Sequence, residues 1–313
     1  MKNSNGFIIT PDEFNLPSYR IGPFTTNDLR DNYSLFLNEK IDPSETDSFL
    51  RHKFGENFKY TINGKEGIYL ALESYDLQDE DVVTILTTSQ NYYISSCVTR
   101  EIEKFCKWNR EITSETKVIL VNHEFGTVYP EMDQLVSAGL PIIEDCCTAF
   151  FSQDANGCVG KYGDFAVYSF PKFFPLQLGG LLVNNKGRVL KPSHIKESSK
   201  IYIQKVLSHH IAKREELLKK RIAIFEYGVE VYSKLGFTAF FRYDKLQVPS
   251  LMMLKNNAIV QDLPAIKKYL WNHGIQSSVF YGEDAFFFPS HQNLTKVDIE
   301  YFFEVIDNFI NKQ

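Results

Sequence analysis

Five apolar runs constrain this chain more than any other feature. They are Val82-Val83-Thr84-Ile85-Leu86, Lys117-Val118-Ile119-Leu120-Val121, Pro141-Ile142-Ile143, Asp164 to Phe170, and Gly180-Leu181-Leu182-Val183. Near-continuous runs rich in β-branched residues, without polar alternation, are strands covered on both faces. Helix-like segments lie between several of them: Ile68, Leu70, Ala71 and Leu72 on one face, Tyr92 to Phe105, and Met132 to Ala138. The alternation predicts an α/β large domain, three layers deep, around a mainly parallel sheet. A short strand-like run, Tyr60-Thr61-Ile62, precedes it. Residues 1–42 read as an irregular lead-in packed on the body or on a partner chain. The charged stretch 193–235 reads as a solvated linking helix. Beyond Val248, a strand-like piece, a helix from Asp262 to His273 stopped by Gly274, a strand from Ile275 to Tyr281 and a closing amphipathic helix from Val297 to Ile310 predict a smaller α+β domain. The expected division is 1–190 for the large domain with its lead-in and 191–313 for the linking helix and small domain.

Charge and cysteine usage exclude several functions. Lys plus Arg number 34 against 39 Asp plus Glu, a net charge of −5, so no nucleic-acid partner is expected. The five cysteines, Cys97, Cys106, Cys146, Cys147 and Cys158, include no CxxC pair. That argues against a disulfide framework and a structural metal site. No apolar run approaches the roughly 18 residues of a membrane span, and the opening MKNSNGFIIT is too short for a signal-peptide core. The expectation is a cytoplasmic protein without a membrane or metal partner.

In a parallel sheet, ligands bind beyond the carboxyl ends of the strands. Polar residues stand there in this sequence. Lys172 follows the fourth run inside Ser169-Phe170-Pro171-Lys172-Phe173-Phe174, ahead of Gly179-Gly180. Desolvation by such neighbours favours a nucleophilic amine, as a Schiff base requires, although a lysine passing over an aromatic patch gives the same pattern. The paired glycines allow a close backbone approach. Asp145 ends the third run, as a partner for a cationic ring or as a helix cap. Asn63-Gly64-Lys65-Glu66-Gly67 opens a helix, where free N–H groups suit a phosphate. His123 follows the second run, and a lone histidine there is more often structural. A phosphate cradle, an acid for a ring nitrogen and an amine for an aldehyde together suit pyridoxal 5'-phosphate, an electron sink while its ring nitrogen stays protonated.

These segments resemble the DegT/DnrJ/EryC1/StrS family, pyridoxal-phosphate-dependent sugar aminotransferases of fold type I. The similarity runs from about Asn63 to Val183 and again from Gly274 to Phe309. It rests on Asn63-Gly64-Lys65 with Leu70-Ala71-Leu72, and on His123-Glu124-Phe125-Gly126 before Met132-Asp133. It rests further on Pro141-Ile142-Ile143-Glu144-Asp145-Cys146-Cys147-Thr148-Ala149, Gly160 to Asp164, Tyr168-Ser169-Phe170 and the spacing of Lys172 to Gly179-Gly180. Gly274-Ile275 and Pro289 to Leu294 fit the family's late pieces. The chain departs from the family at Lys65, which replaces a small hydroxyl residue, at Thr148, where Gln or His is usual, and at Leu178, where Glu is usual. Ser169 also lies closer to the lysine than is common, and the segment from Ile85 to Tyr93 aligns poorly.

The resemblance implies an enzyme. Lys172 would bind the cofactor covalently and move the proton, and Asp145 would pair with the ring nitrogen. Gly64, Lys65 and Ser169 would hold the phosphate, and Tyr92 or Tyr93 would stack on the ring, with Thr148 and His123 beside the cofactor. The implied reaction transfers an amino group from an amino acid, glutamate being the expected donor, to a keto group of a nucleotide-linked sugar or similar small carbonyl compound, as in polysaccharide biosynthesis. The alternatives are a dehydratase of the same family and a degenerate, non-catalytic sugar-nucleotide binder. A homodimer is also implied. Phe280, Tyr281, Phe286, Phe287 and Phe288 stand either as a wall of the substrate cleft or as small-domain core.

Overall fold

The structure, a computed structural model, describes residues 17–312. Its large sheet has seven strands: β1 (Phe58–Thr61), β2 (Val82–Thr87), β3 (Lys107–Asn109), β4 (Thr116–Asn122), β5 (Ile142–Asp145), β6 (Phe165–Ser169) and β7 (Gly180–Asn184). Their order across the sheet is β1-β7-β6-β5-β4-β2-β3. The run from β6 to β3 is parallel, whereas β7 and β1 pair antiparallel at the other edge. The expected mainly parallel α/β architecture is therefore present.

Strand alternation sorts the apolar runs onto two faces. Val118, Leu120, Phe165 and Val167 pack with Ile68 and Leu72 of α3 (Gly64–Glu73) and with Val98 and Ile102 of α4 (Ser96–Ile102). On the other face, Ala166 and Tyr168 meet Leu50 and Phe54 of α2 (Ser44–Phe54) and Ile203, Val206 and Leu207 of α6 (Glu197–Ala212). Ile119, Val121 and Ile142 receive Met132 and Leu135 of α5 (Met132–Ser137).

Three expectations need correction in the lead-in and the helices. The lead-in is not irregular throughout: residues 1–16 lie outside the described region, but α1 (Thr26–Leu37) follows, opened by a capping box of Thr25 and Asp28. The stretch 193–235 is two helices, α6 and α7 (Arg214–Ser233), and neither is solvated all round. Ile203, Val206 and Leu207 enter the main core, and Arg221, Ile224, Val231 and Tyr232 of α7 are buried. The helix expected from Tyr92 begins only at Ser96, because Gln90 takes φ +60° and Asn91 bonds elsewhere, leaving 88–95 as a loop.

The remaining chain builds a four-stranded antiparallel sheet, β10-β11-β9-β8, from β8 (Thr238–Ala239), β9 (Met252–Lys255), β10 (Ser278–Val279) and β11 (Ala285–Phe288). The strand expected over Ile275 to Tyr281 contracts to β10. Helices α8 (Leu263–Asn272) and α9 (Lys296–Ile310) cover the sheet, and Ile299, Phe302 and Ile306 of α9 are fully buried. Among the described residues no helix is long and apolar enough to cross a membrane.

Candidate active site

A cavity of about 340 Å³ lies at the carboxyl ends of β4, β5 and β6, closed on one side by the small sheet. Its wall contains Gly64, Lys65, Tyr93, Asp145, Thr148, Ser169 and Lys172, all expected site residues, from distant parts of the sequence.

The opening of α3 forms one end. Asn63 caps the helix by accepting the Glu66 N–H at 3.0 Å, and the first-turn N–H groups have no partner within the helix. Gly64 belongs here because of a close approach: a Cβ would lie 2.7 Å from Cys147 Sγ. The Glu66 carboxylate is tied to the loop that precedes α6. It accepts the backbone N–H groups of Ile62 and His194 at 2.6 and 2.7 Å, and Ser193 Oγ at 3.1 Å.

Asp145 ends β5 with 6% exposure, and one of its oxygens accepts the Cys147 N–H at 3.1 Å. Thr148 donates its hydroxyl to the His123 carbonyl at 3.0 Å. Lys172 ends a 3-10 turn (Phe170–Lys172) directly after β6. Its setting differs from the expectation. Phe170, Phe173 and Phe174 turn into the core beneath the sheet, so the lysine is exposed to the cavity and not wrapped by its neighbours. The paired glycines approach protein rather than ligand: a Cβ on Gly180 would meet Thr61 Oγ1 at 2.6 Å and the Asn63 backbone at 2.7 Å.

Two expected residues lie outside this wall. Tyr92 is 73% exposed and covers the Arg110 guanidinium at 5.7 Å, while Tyr93 turns inward. His123 is fully buried beneath the site. Its Nδ1 accepts the Tyr129 N–H at 3.0 Å, which leaves Nε2 to donate to Glu144 at 3.2 Å. Glu144 also accepts the N–H groups of Gly160 and Gly163. His123, Glu144 and Cys146 cluster closely enough to suggest metal ligands, but these hydrogen bonds already satisfy the imidazole and the carboxylate.

Sequence reasoning missed part of the wall. Phe125, Leu251 and Phe287 supply an apolar side, and Phe125 takes φ +52° with its carbonyl accepting from Tyr243 and from the Ser250 N–H. Glu124 is also in the wall. Burial raises its carboxyl above the usual range, and hydrogen bonds from Ser89 and the Arg110 charge act against that shift. Ser250 lines the cavity with a buried hydroxyl that has no hydrogen-bond partner among the described residues. Among these, Phe287 alone was weighed in the sequence as cleft or core. It is both, since it also packs with Phe280 and Ala285.

Pyridoxal 5'-phosphate fits this donor set. Backbone N–H groups, a lysine and a hydroxyl gather at one end, a buried carboxylate sits mid-way, and a primary amine reaches the same cavity.

Comparison with known proteins agrees. Residues 104–195 match the DegT/DnrJ/EryC1/StrS aminotransferase family. GDP-perosamine synthase of Escherichia coli O157:H7 is 37% identical over 83 residues, which is 24% of this chain and 22% of that protein. The match therefore spans about a fifth of the curated relative. The solved aminotransferase TlmJ from Streptoalloteichus hindustanus superposes with a TM-score of 0.71 at 16% identity, covering 92% of this chain and 98% of that one. A GDP-4-keto-6-deoxymannose-3-dehydratase, solved with a trapped PLP-glutamate geminal diamine, gives 0.67 at 14% identity, covering 92% and 99%. Residues 104–195 thus match the DegT/DnrJ/EryC1/StrS aminotransferase family in sequence, and nearly the whole chain shares the fold of solved aminotransferases.

Proposed function

We propose that this protein is a pyridoxal-phosphate-dependent aminotransferase acting on a keto group of a nucleotide-linked sugar or a similar small carbonyl compound, with glutamate as amino donor. The observation that carries the reading is one cavity shared by Lys172, Asp145, Ser169 and the first turn of α3. The cofactor would supply an electron sink for the carbon that gains or loses the amino group.

The chain's residues divide the remaining work. Gly64 and Lys65, with the helix N-terminus and Ser169, bind the phosphate. Asp145 would pair with the ring nitrogen of the bound cofactor and keep a proton on it. Tyr93 would stack on the ring, and Thr148 would stand beside the cofactor. The amine of Lys172 takes the proton from the substrate carbon and returns it on the other side of the exchange. Phe125, Leu251 and Phe287 exclude water. His123 acts one layer down, holding Glu144 and, through its carbonyl, Thr148.

An absorbance scan of purified protein with added pyridoxal phosphate, then glutamate, tests this. The expected result is a visible band that glutamate converts to the spectrum of the pyridoxamine form. A dehydratase is the second reading, supported by the dehydratase among the structural neighbours. It predicts a sugar product that gains no nitrogen, the donor's amino group leaving as ammonia, whereas amino transfer leaves that nitrogen on the sugar. A homodimer belongs to the same proposal: Leu29, Tyr33 and Leu37 form an exposed apolar stripe along α1 that a second copy would cover.

A further inference from the structure

Helix α7 carries a cation that the proposed chemistry leaves without a role. Arg221 is 1% exposed. A buried guanidinium is ordinarily matched by a carboxylate. Its hydrogen-bond partners among the described residues are all neutral. Nε donates to Gln292 Oε1 at 2.8 Å, and the two terminal nitrogens donate to the carbonyls of Pro249 and Lys172, each at a long 3.5 Å. The flat face lies 4.4 Å over the Phe173 ring. Gln292 then donates through Nε2 to the Phe173 carbonyl at 2.7 Å. Burial pushes the guanidinium down to about 9, with Tyr243 acting the other way. His291, next in chain to Gln292, is pushed down to about 3 by burial first and then by the Arg221 charge.

Lys172 itself has little to order it. Its side chain is long and exposed to the cavity, and among the described residues no hydrogen bond holds its Nζ. What aims it is its backbone. The 3-10 turn closes with the Phe173 N–H on the Phe170 carbonyl at 3.0 Å, and the carbonyls of Lys172 and Phe173 accept from Arg221 at 3.5 Å and from Gln292 at 2.7 Å. Both donor side chains come from the C-terminal part of the chain.

We infer that Arg221 is a positioning residue for Lys172: with Gln292 it fixes the two peptide planes after Lys172 and so aims the amine into the cavity. This rests on the cofactor reading above for its consequence, but not for its geometry. It explains why a charge without a carboxylate is kept in the interior. The fork reaches a side-chain oxygen and two carbonyls at once, which neither methionine nor lysine can reproduce.

The test uses the full chain with Arg221→Met, Arg221→Lys and Gln292→Met. Condensation is followed by borohydride trapping of pyridoxal phosphate at Lys172, in which Nζ adds to the aldehyde carbon and water leaves before hydride fixes the product. Pyridoxamine phosphate, which has no aldehyde, measures the pocket alone, and hydrogen exchange of the 170–179 peptide is read without cofactor. Arg221→Met is expected to slow trapping by about tenfold and speed the exchange, with pyridoxamine phosphate affinity within about threefold of the parent. Arg221→Lys is expected to fall between. Unchanged trapping and exchange overturn the inference, as does a loss of pyridoxamine phosphate affinity equal to the loss in trapping. Should Arg221→Met fail to fold, Gln292→Met decides, and trapping at the parent rate overturns the proposal. Absence of trapping in the parent protein instead sinks the cofactor reading and leaves the exchange arm to judge Arg221.

Discussion

At the scale of single residues, the site separates groups that the reaction needs from groups that the fold needs. Lys172 faces the cavity and supports no core contact, so Lys172→Ala is expected to abolish turnover and borohydride labelling while leaving the denaturation midpoint unchanged. His123 behaves oppositely. Removing it in His123→Ala strips a donor from the buried Glu144, at a cost of about 1.5–3 kcal/mol in a denaturant titration. Gly64 gives a sharper test. A methyl group there must collide with Cys147 Sγ, so Gly64→Ala is expected to cost about 1–3 kcal/mol and weaken cofactor binding. The pair Gly64→Ala with Cys147→Ala should recover most of that loss, and a double-mutant cycle without coupling would refute the contact. The places of Lys172, Asp145 and Gly64 at the cavity were legible in the sequence, because each follows a strand or opens a helix. Arg221 was not, since it stands in Lys219-Lys220-Arg221, where a charge run conceals the one member that faces inward.

At the scale of elements, strands that are apolar on both faces announced themselves, and helices held by polar contacts did not. Residues Thr116–Asn122 read as β4 almost to the residue. By contrast α1 has few buried side chains and is anchored through Asn32, which donates to the Pro175 carbonyl at 2.6 Å. No hydropathy pattern encodes such a contact. The first turn of α3 shows how an element acquires pH dependence. Burial raises the Glu66 carboxyl, but hydrogen bonds from His194, Ile62 and Ser193 outweigh it and leave the group below its usual 4.5. A depressed acid contributes stability above its unfolded value and loses it as the pH falls toward the folded one. Acidification below about 4.5 is therefore expected to release the 193–194 loop, seen as faster hydrogen exchange there. Glu66→Gln should show that faster exchange already at neutral pH and little further change on acidification.

At the scale of the whole molecule, the proposed dimer places its demand on α1. Leu29→Glu with Tyr33→Glu is expected to shift sedimentation from dimer to monomer, whereas a parent protein that sediments as a monomer removes that proposal. A second feature links the two sheets beside Tyr93, which lines the cavity. Asn91, in the loop after β2, donates its side-chain amide to the Tyr281 carbonyl at 2.9 Å. Gly282, at φ +97°, leaves no room for a Cβ, which would sit 2.3 Å from the same amide oxygen. Tyr93 is seated by the same hairpin, edge-on to Phe280 and stacked with Tyr281. A wall pinned from both sides keeps its place whether or not a guest is inside. Small aldehydes should then arrive in one kinetic phase, with no lag for that wall to move.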